Sequence, residues 1–268
     1  MSLKRIYAIF LRQIFLIKGS PTRLAAIFTW QIIDILQWGF ISKYLSGFGE
    51  ATFSFVAVIL GAIVLWEFMS RIQQGTMTAF LEDIWSQNFI NYFASPIRVG
   101  EYLSGLVLYG VVSGLAGLLL MIVLVGLLFG YNIFILGIYL LPFMLILFIF
   151  GMAMGIIVAA MIFRLGPTAE WLAWPIPLVL SIFSGVFYPV SVLPGAVQIF
   201  SDLIPATYVF ESFREILAGG AFSSGLAVNL LIGAGLSLVY LALAYWFFVR
   251  IYRYNLKTGG LVRFSAIE

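Results

Sequence analysis

The sequence predicts an all-α, polytopic membrane protein with six transmembrane helices. Three observations carry this. The 268 residues are 63% hydrophobic and only 9% charged, with mean hydropathy +1.12, whereas a soluble domain carries about 25% charged residues. The apolar residues gather in six stretches of spanning length, 24–46, 52–72, 104–130, 133–163, 171–188 and 226–249, each near the ~20 residues a bilayer needs. With the N-terminus inside, Lys4, Arg5, Arg12, Lys18, Arg23, Arg71, Arg98, Arg164, Arg250, Arg253, Lys257 and Arg263 face the cytoplasm. That is twelve of the 14 Lys and Arg, a strong positive-inside bias that puts both termini in the cytoplasm.

Several function classes lose their chemistry. There is no Cys and no His, so disulfides, thiolate metal sites and imidazole proton relays are excluded, and no metal site is expected. No G-x-x-x-x-G-K-[ST] loop precedes Lys257-Thr258 or any other position, so the chain is not expected to bind ATP by that route. No internal repeat is visible, which disfavours an inverted-repeat carrier. No linker divides the chain, so 1–268 reads as one domain.

Residues 1–20 form an amphipathic interfacial helix. Leu3, Ile6, Tyr7, Phe10, Ile14 and Ile17 make an apolar stripe, with Lys4, Arg5, Arg12 and Lys18 off it. That pattern suits the cytoplasmic membrane surface, and Gly19-Ser20-Pro21 ends it. Charges throughout and no small-x-small site argue against a cleaved signal. In the first span Gln31, Asp34 and Gln37 share one helical face. An intramembrane Asp is a functional candidate, or a structural hydrogen bond to a neighbouring helix. In the second span Glu67 and Arg71 stand at i, i+4. Local pairing is one reading, and a place in a cytoplasmic mouth the other.

Residues 77–95 read as a second interfacial helix. Met77, Phe80, Leu81, Ile84, Trp85, Phe89 and Phe93 form its stripe, Glu82, Asp83, Ser86 and Asn91 lie off it, and Pro96 stops it. The third span has Gly105, Gly110, Gly114 and Gly117 for close helix approach. The fourth exceeds a perpendicular crossing and has Pro142 for a kink. The fifth begins WLAWPIP. The 189–217 stretch breaks the rules for a span. Pro189, Pro194 and Pro205 punctuate it, Asp202, Glu211, Arg214 and Glu215 charge it, and its two helical pieces, roughly 195–203 and 206–217, are too short to cross. It is either an extracytoplasmic re-entrant helical hairpin or an amphipathic loop on the headgroups. Glu211 and Arg214 are expected to pair, and Pro205 to start a helix. Gly219-Gly220 and Ser223-Ser224-Gly225 read as a hinge before the last span.

S-G-V-F-Y-P-V-x-V-L-P at 184–194 and L-I-P-A-T-Y-V-F-E-x-x-R at 203–214 resemble the signature of ABC-2-type permeases, the membrane subunits of ATP-driven exporters. LEDIW…NYFASPIRVGEY at 81–102 resembles their first cytoplasmic loop, and the order of elements matches over nearly the whole chain. The resemblance implies an inner-membrane exporter permease working as a dimer with itself or a second permease. Two copies of a separate ATPase subunit would carry ATP and Mg, with no cofactor on this chain and no nucleic acid partner. It makes 77–95 the coupling helix, with Glu82, Asp83, Trp85, Asn88, Pro96, Arg98 and Glu101 as ATPase-coupling residues. It makes Trp66, Phe68, Phe183, Phe187 and Tyr188 candidates for pathway or gate. Pro189, Pro194, Pro205, Tyr208, Glu211 and Arg214 define the hairpin, and Gln31, Asp34, Glu67 and Arg71 the intramembrane polar set. The greasy, aromatic spans favour an amphipathic or lipid-like cargo. A polysaccharide or glycolipid exporter is the alternative within the class. A proton-coupled secondary transporter using Asp34 and Glu67 is the alternative outside it, and an intramembrane enzyme has no visible site.

Overall fold

The computed structural model describes residues 1–45, 53–86, 88, 91–92, 95–219 and 224–258, and among them there are helices and no strands. The long helices are α1 (Leu3–Lys18), α2 (Pro21–Leu45), α3 (Phe53–Trp85), α4 (Val99–Phe129) and α5 (Leu140–Leu165), followed after shorter elements by α10 (Ser224–Thr258). Between them lie α6 (Glu170–Ala173), α7 (Ile176–Phe183), α8 (Gly195–Asp202) and α9 (Pro205–Leu217). Among the described residues, five helices are long and apolar enough to cross a membrane: α2, α3, α4, α5 with its preceding 3-10 turns, and α10.

The helix α3 is buried nearly all round, and it forms the axis of the bundle. Small residues bring its neighbours in. A Cβ on Gly75 would lie 2.8 Å from Gly110 Cα of α4. A Cβ on Gly151 of α5 would lie 2.9 Å from the Met69 carbonyl, and one on Gly155 2.7 Å from Thr76 Cβ. The backbones can approach this closely only because side chains are missing there. Phe80 then locks the C-terminal ends of α3, α5 and α10 together, with its ring edge-on to Phe163 at 5.8 Å and to Phe248 at 5.9 Å.

The register of these contacts sets the directions. Residues 69 to 76 of α3 meet 151 to 155 of α5 in the same order, so α3 and α5 are parallel, whereas α4 runs opposite to both. Ser237 Oγ donates to the Ile146 carbonyl at 3.2 Å, and Asn255 Nδ2 to that of Phe163 at 2.9 Å. So α10 is parallel to α5 as well. The chain between Leu165 and Ser224 must therefore return from one end of the bundle to the other. The expected fifth span lies there, but it is not a long helix. Two short helices, α6 of 4 residues and α7 of 8, break at Trp174-Pro175. At 1.5 Å per residue, Glu170–Phe183 reaches only ~21 Å. Pro175 and Pro177 interrupt regular helix, and the segment after Phe183 continues the return without it.

The second correction concerns 77–95. No break occurs at residue 72. Instead α3 runs unbroken for 33 residues to Trp85, because no Pro interrupts 73–85 and Gly75 is held against Gly110. The first nine residues of the expected coupling helix are thus the C-terminal end of α3. Within its remainder, Phe89 and Phe93 lie outside the described residues, as do Gly220 and Ser223 of the hinge and Arg263 of the tail.

Candidate functional site

At the end of the bundle where α1 packs, α1, α2, α3 and α4 line a cavity of about 240 Å³. Arg71 of α3 forms part of its wall with Tyr109 and Ser113 of α4, while Gln13 and Ile17 of α1 close one side. Trp30, Trp85 and Trp174 line its rim, all three exposed. The lining is mostly apolar, yet Arg71 is 6% exposed, and its Nε and Nη2 have no hydrogen-bond partner. A buried guanidinium in that state is costly unless charge or water offsets it. Asp34 and Glu67 supply an electrostatic field at Arg71. No ion pair among the described residues closes within 4 Å between them, so the expected Glu67–Arg71 pairing is a field interaction rather than a contact. Gln31 is fully buried in a notch made by Gly117, with both amide atoms unpartnered. Asp34, Glu67 and Arg71 thus lie within electrostatic reach of one another near the middle of α2 and α3, while Gln31 sits apart against α4.

Below the cavity the acids expected to be exposed are consumed within the chain. Asp83 is fully buried. It pairs with Arg12 of α1 and accepts a 2.7 Å hydrogen bond from Tyr102 Oη. Arg12 also reaches Ser86 Oγ at 3.0 Å and Tyr92 Oη at 3.2 Å. Burial raises the Tyr92 phenol, and the Arg12 charge offsets part of that. Glu82 pairs with Arg23 at 3.1 Å across the cavity mouth. Glu101 is buried, accepts from the backbone nitrogens of Ser2 at 2.6 Å and Arg98 at 3.0 Å, and pairs with Arg5 at 3.3 Å. Arg5 also donates to the Pro96 carbonyl at 2.5 Å. The result is a clasp holding α1 against α3 and α4. Sequence reading put Arg12 off the membrane stripe of α1. It missed that a second face, with Ile9, Arg12 and Gln13, packs on the protein. A buried Gln13 donating to the Ala79 carbonyl at 3.2 Å is part of that face. Of the expected coupling set, Trp85, Pro96 and Arg98 remain exposed and Asn88 half-exposed.

At the opposite end the hairpin is anchored rather than loose. Arg214 Nη2 meets Glu211 Oε1 at 2.8 Å, and Arg214 Nη1 donates to the Gly185 carbonyl at 2.6 Å. Glu211 Oε1 accepts from Val190 N at 2.8 Å. Gly185 has φ +60°, and a Cβ there would lie 2.8 Å from the Tyr188 carbonyl, so this bend requires glycine. Pro205 opens α9, Thr207 Oγ1 donates to the Ser201 carbonyl at 2.8 Å, and Tyr208 Oη to that of Asp202 at 2.9 Å. Burial and the Asp202 carboxylate raise the Tyr208 phenol. Pro189 and Pro194 are extended and flank a 3-10 turn. The gate candidates separate. Trp66 and Phe68 are buried in the core, Trp66 near Phe210 at 6.0 Å, and so do not face any outer surface of this subunit. Phe187 stacks on Trp38 at 4.2 Å, Phe183 approaches Phe200 at 6.5 Å, and Tyr188 Oη donates to the Ile182 carbonyl. These three remain partly exposed.

The family model described as ABC-2 type transporter matches residues 4–218, most of the 268. No curated protein matches the chain. The match begins within α1 and ends just past α9, so it takes in the clasp, the cavity and the hairpin together, and the chain belongs to the ABC-2 type transporter family.

Proposed function

We propose that this permease exports an amphipathic or lipid-like substrate from the cytoplasm or inner leaflet, driven by a separate ATPase subunit in two copies. The family makes the chain a permease component of an ABC transporter. With five apolar helices, it is a multi-pass membrane protein. The cytoplasmic membrane, inside termini and a homodimer complete the reading. The observation that supports it best is the cavity beside Arg71: aromatic and apolar walls, one buried cation, and an opening beside α1. That combination suits a cargo with a greasy body and a polar end. ATPase docking falls to the exposed residues Trp85, Pro96 and Arg98 and the half-exposed Asn88, with α1 carrying the motion through its clasp to α3. The re-entrant hairpin, α8 and α9, seals the outer end. A glycolipid cargo is compatible with the same walls.

Filling the cavity tests this. Thr78 lines it from α3 and is half-buried. Thr78→Trp should reduce ATP-driven transport at least ~10-fold while leaving subunit assembly and basal ATP hydrolysis intact. Unchanged transport would remove the cavity from the route.

A further inference from the structure

We propose that the cytoplasmic ends of α5 and α10 form a binding site for the phosphate headgroup of an anionic phospholipid. Trp246, Arg250, Arg253, Tyr254 and Lys257 lie on one face of α10, at helical spacing. Arg164 reaches over from the end of α5, and with Phe247, Arg250, Ile251 and Tyr254 it bounds a hollow of about 270 Å³. The Asn255 bond to the Phe163 carbonyl fixes the two helices there.

The charges of this site are not spoken for. Arg5, Arg12 and Arg23 of the cytoplasmic side each hold a carboxylate. Arg164, Arg250, Arg253 and Lys257 form no ion pair among the described residues, and no carboxylate lines the hollow. Two of them lie over rings instead, Arg164 4.1 Å from the centroid of Tyr254 and Arg250 5.3 Å from that of Trp246. A guanidinium that rests over a ring, rather than on a carboxylate, keeps N–H groups available for a phosphate.

The surface beyond the charges selects a lipid rather than an acidic protein. Val239, Leu243 and Trp246 continue the same stripe up α10, and all are more than half exposed. An acyl chain can lie along that stripe with its headgroup at Arg250, and exposed Trp and Tyr rings mark interface depth. This site shares no residue with the Arg71 cavity, so it stands or falls independently of the transported cargo.

The experiment is native mass spectrometry of the full-length permease, titrated with dioleoyl phosphatidylglycerol or with phosphatidylcholine of the same chains. At about fivefold per cation near an anionic surface, Arg250→Gln/Arg253→Gln should weaken phosphatidylglycerol retention ~25-fold and leave phosphatidylcholine unchanged. Arg250→Lys/Arg253→Lys should retain most of the preference. An equal loss from Lys4→Gln/Lys18→Gln would mean diffuse attraction and overturn the site. So would unchanged retention in the Gln pair. Loss of ATPase binding with lipid retention intact would assign the face to the partner subunit instead.

Discussion

Replacing Asp83 by Asn tests the clasp that joins α1 to the bundle. Its carboxylate is fully buried, between the Arg12 guanidinium and the Tyr102 hydroxyl. Asn keeps the shape but leaves Arg12 without its countercharge. Breaking a buried pair costs about 3–5 kcal/mol. The Arg12 side chain is 25% exposed, so water recovers part of that, and a loss of about 2–3 kcal/mol is expected. The assay is unfolding in mixed micelles titrated with dodecyl sulfate, followed by tryptophan fluorescence. Arg12→Met and the double variant complete a cycle. Once Arg12 is gone the carboxylate has lost its partner, so the two changes should couple by at least ~1.5 kcal/mol. Additivity within about 0.5 kcal/mol would show that the two side chains act independently, and the clasp would be refuted.

Three further outcomes follow from the same geometry. Arg214→Met should free the hairpin from Gly185, at a loss of about 1–2 kcal/mol because Glu211 is partly exposed. A cysteine placed at Gly195 in this Cys-free chain should then label faster, and unchanged labelling would mean the anchor is idle. Gly185→Ala should lose at least ~1–2 kcal/mol from its left-handed backbone alone, read by the same titration; a neutral result would contradict the bend. Gly110→Val, forced against the Ile72 carbonyl and Thr76, should lose ~3 kcal/mol or the folded state altogether, whereas Gly235→Val, with open space around it, should be tolerated.

Much of the architecture was legible because a bilayer leaves few options. Unbroken apolar runs and the sidedness of Lys and Arg predict the long helices, and prolines predict α8 and α9 nearly to the residue. Glu211 and Arg214 were legible as a pair from their spacing alone. Two things were not. The polar composition of 73–85 reads as a membrane surface, but these residues face other helices, where glycines and an internal clasp accommodate them. And an acid on the polar side of an amphipathic pattern looks exposed until its long-range partner is known: Arg12 lies 71 residues from Asp83. Reversing Glu82 and Asp83 together would unseat α1, so loss of ATPase binding would not identify a docking surface; exposed Trp85 and Arg98 are the residues that can. The burial of Trp66 and Phe68 inside the subunit was not legible for a similar reason, since a sequence does not show that α3 is packed on nearly all sides.

The most direct test of ATP-driven export is uptake of a fluorescent amphiphile into inside-out vesicles carrying the permease and its ATPase. The account predicts uptake that needs ATP, stops with a hydrolysis-dead ATPase and persists in Asp34→Asn. Uptake by the permease alone, driven by a proton gradient and lost in Asp34→Asn, would contradict it.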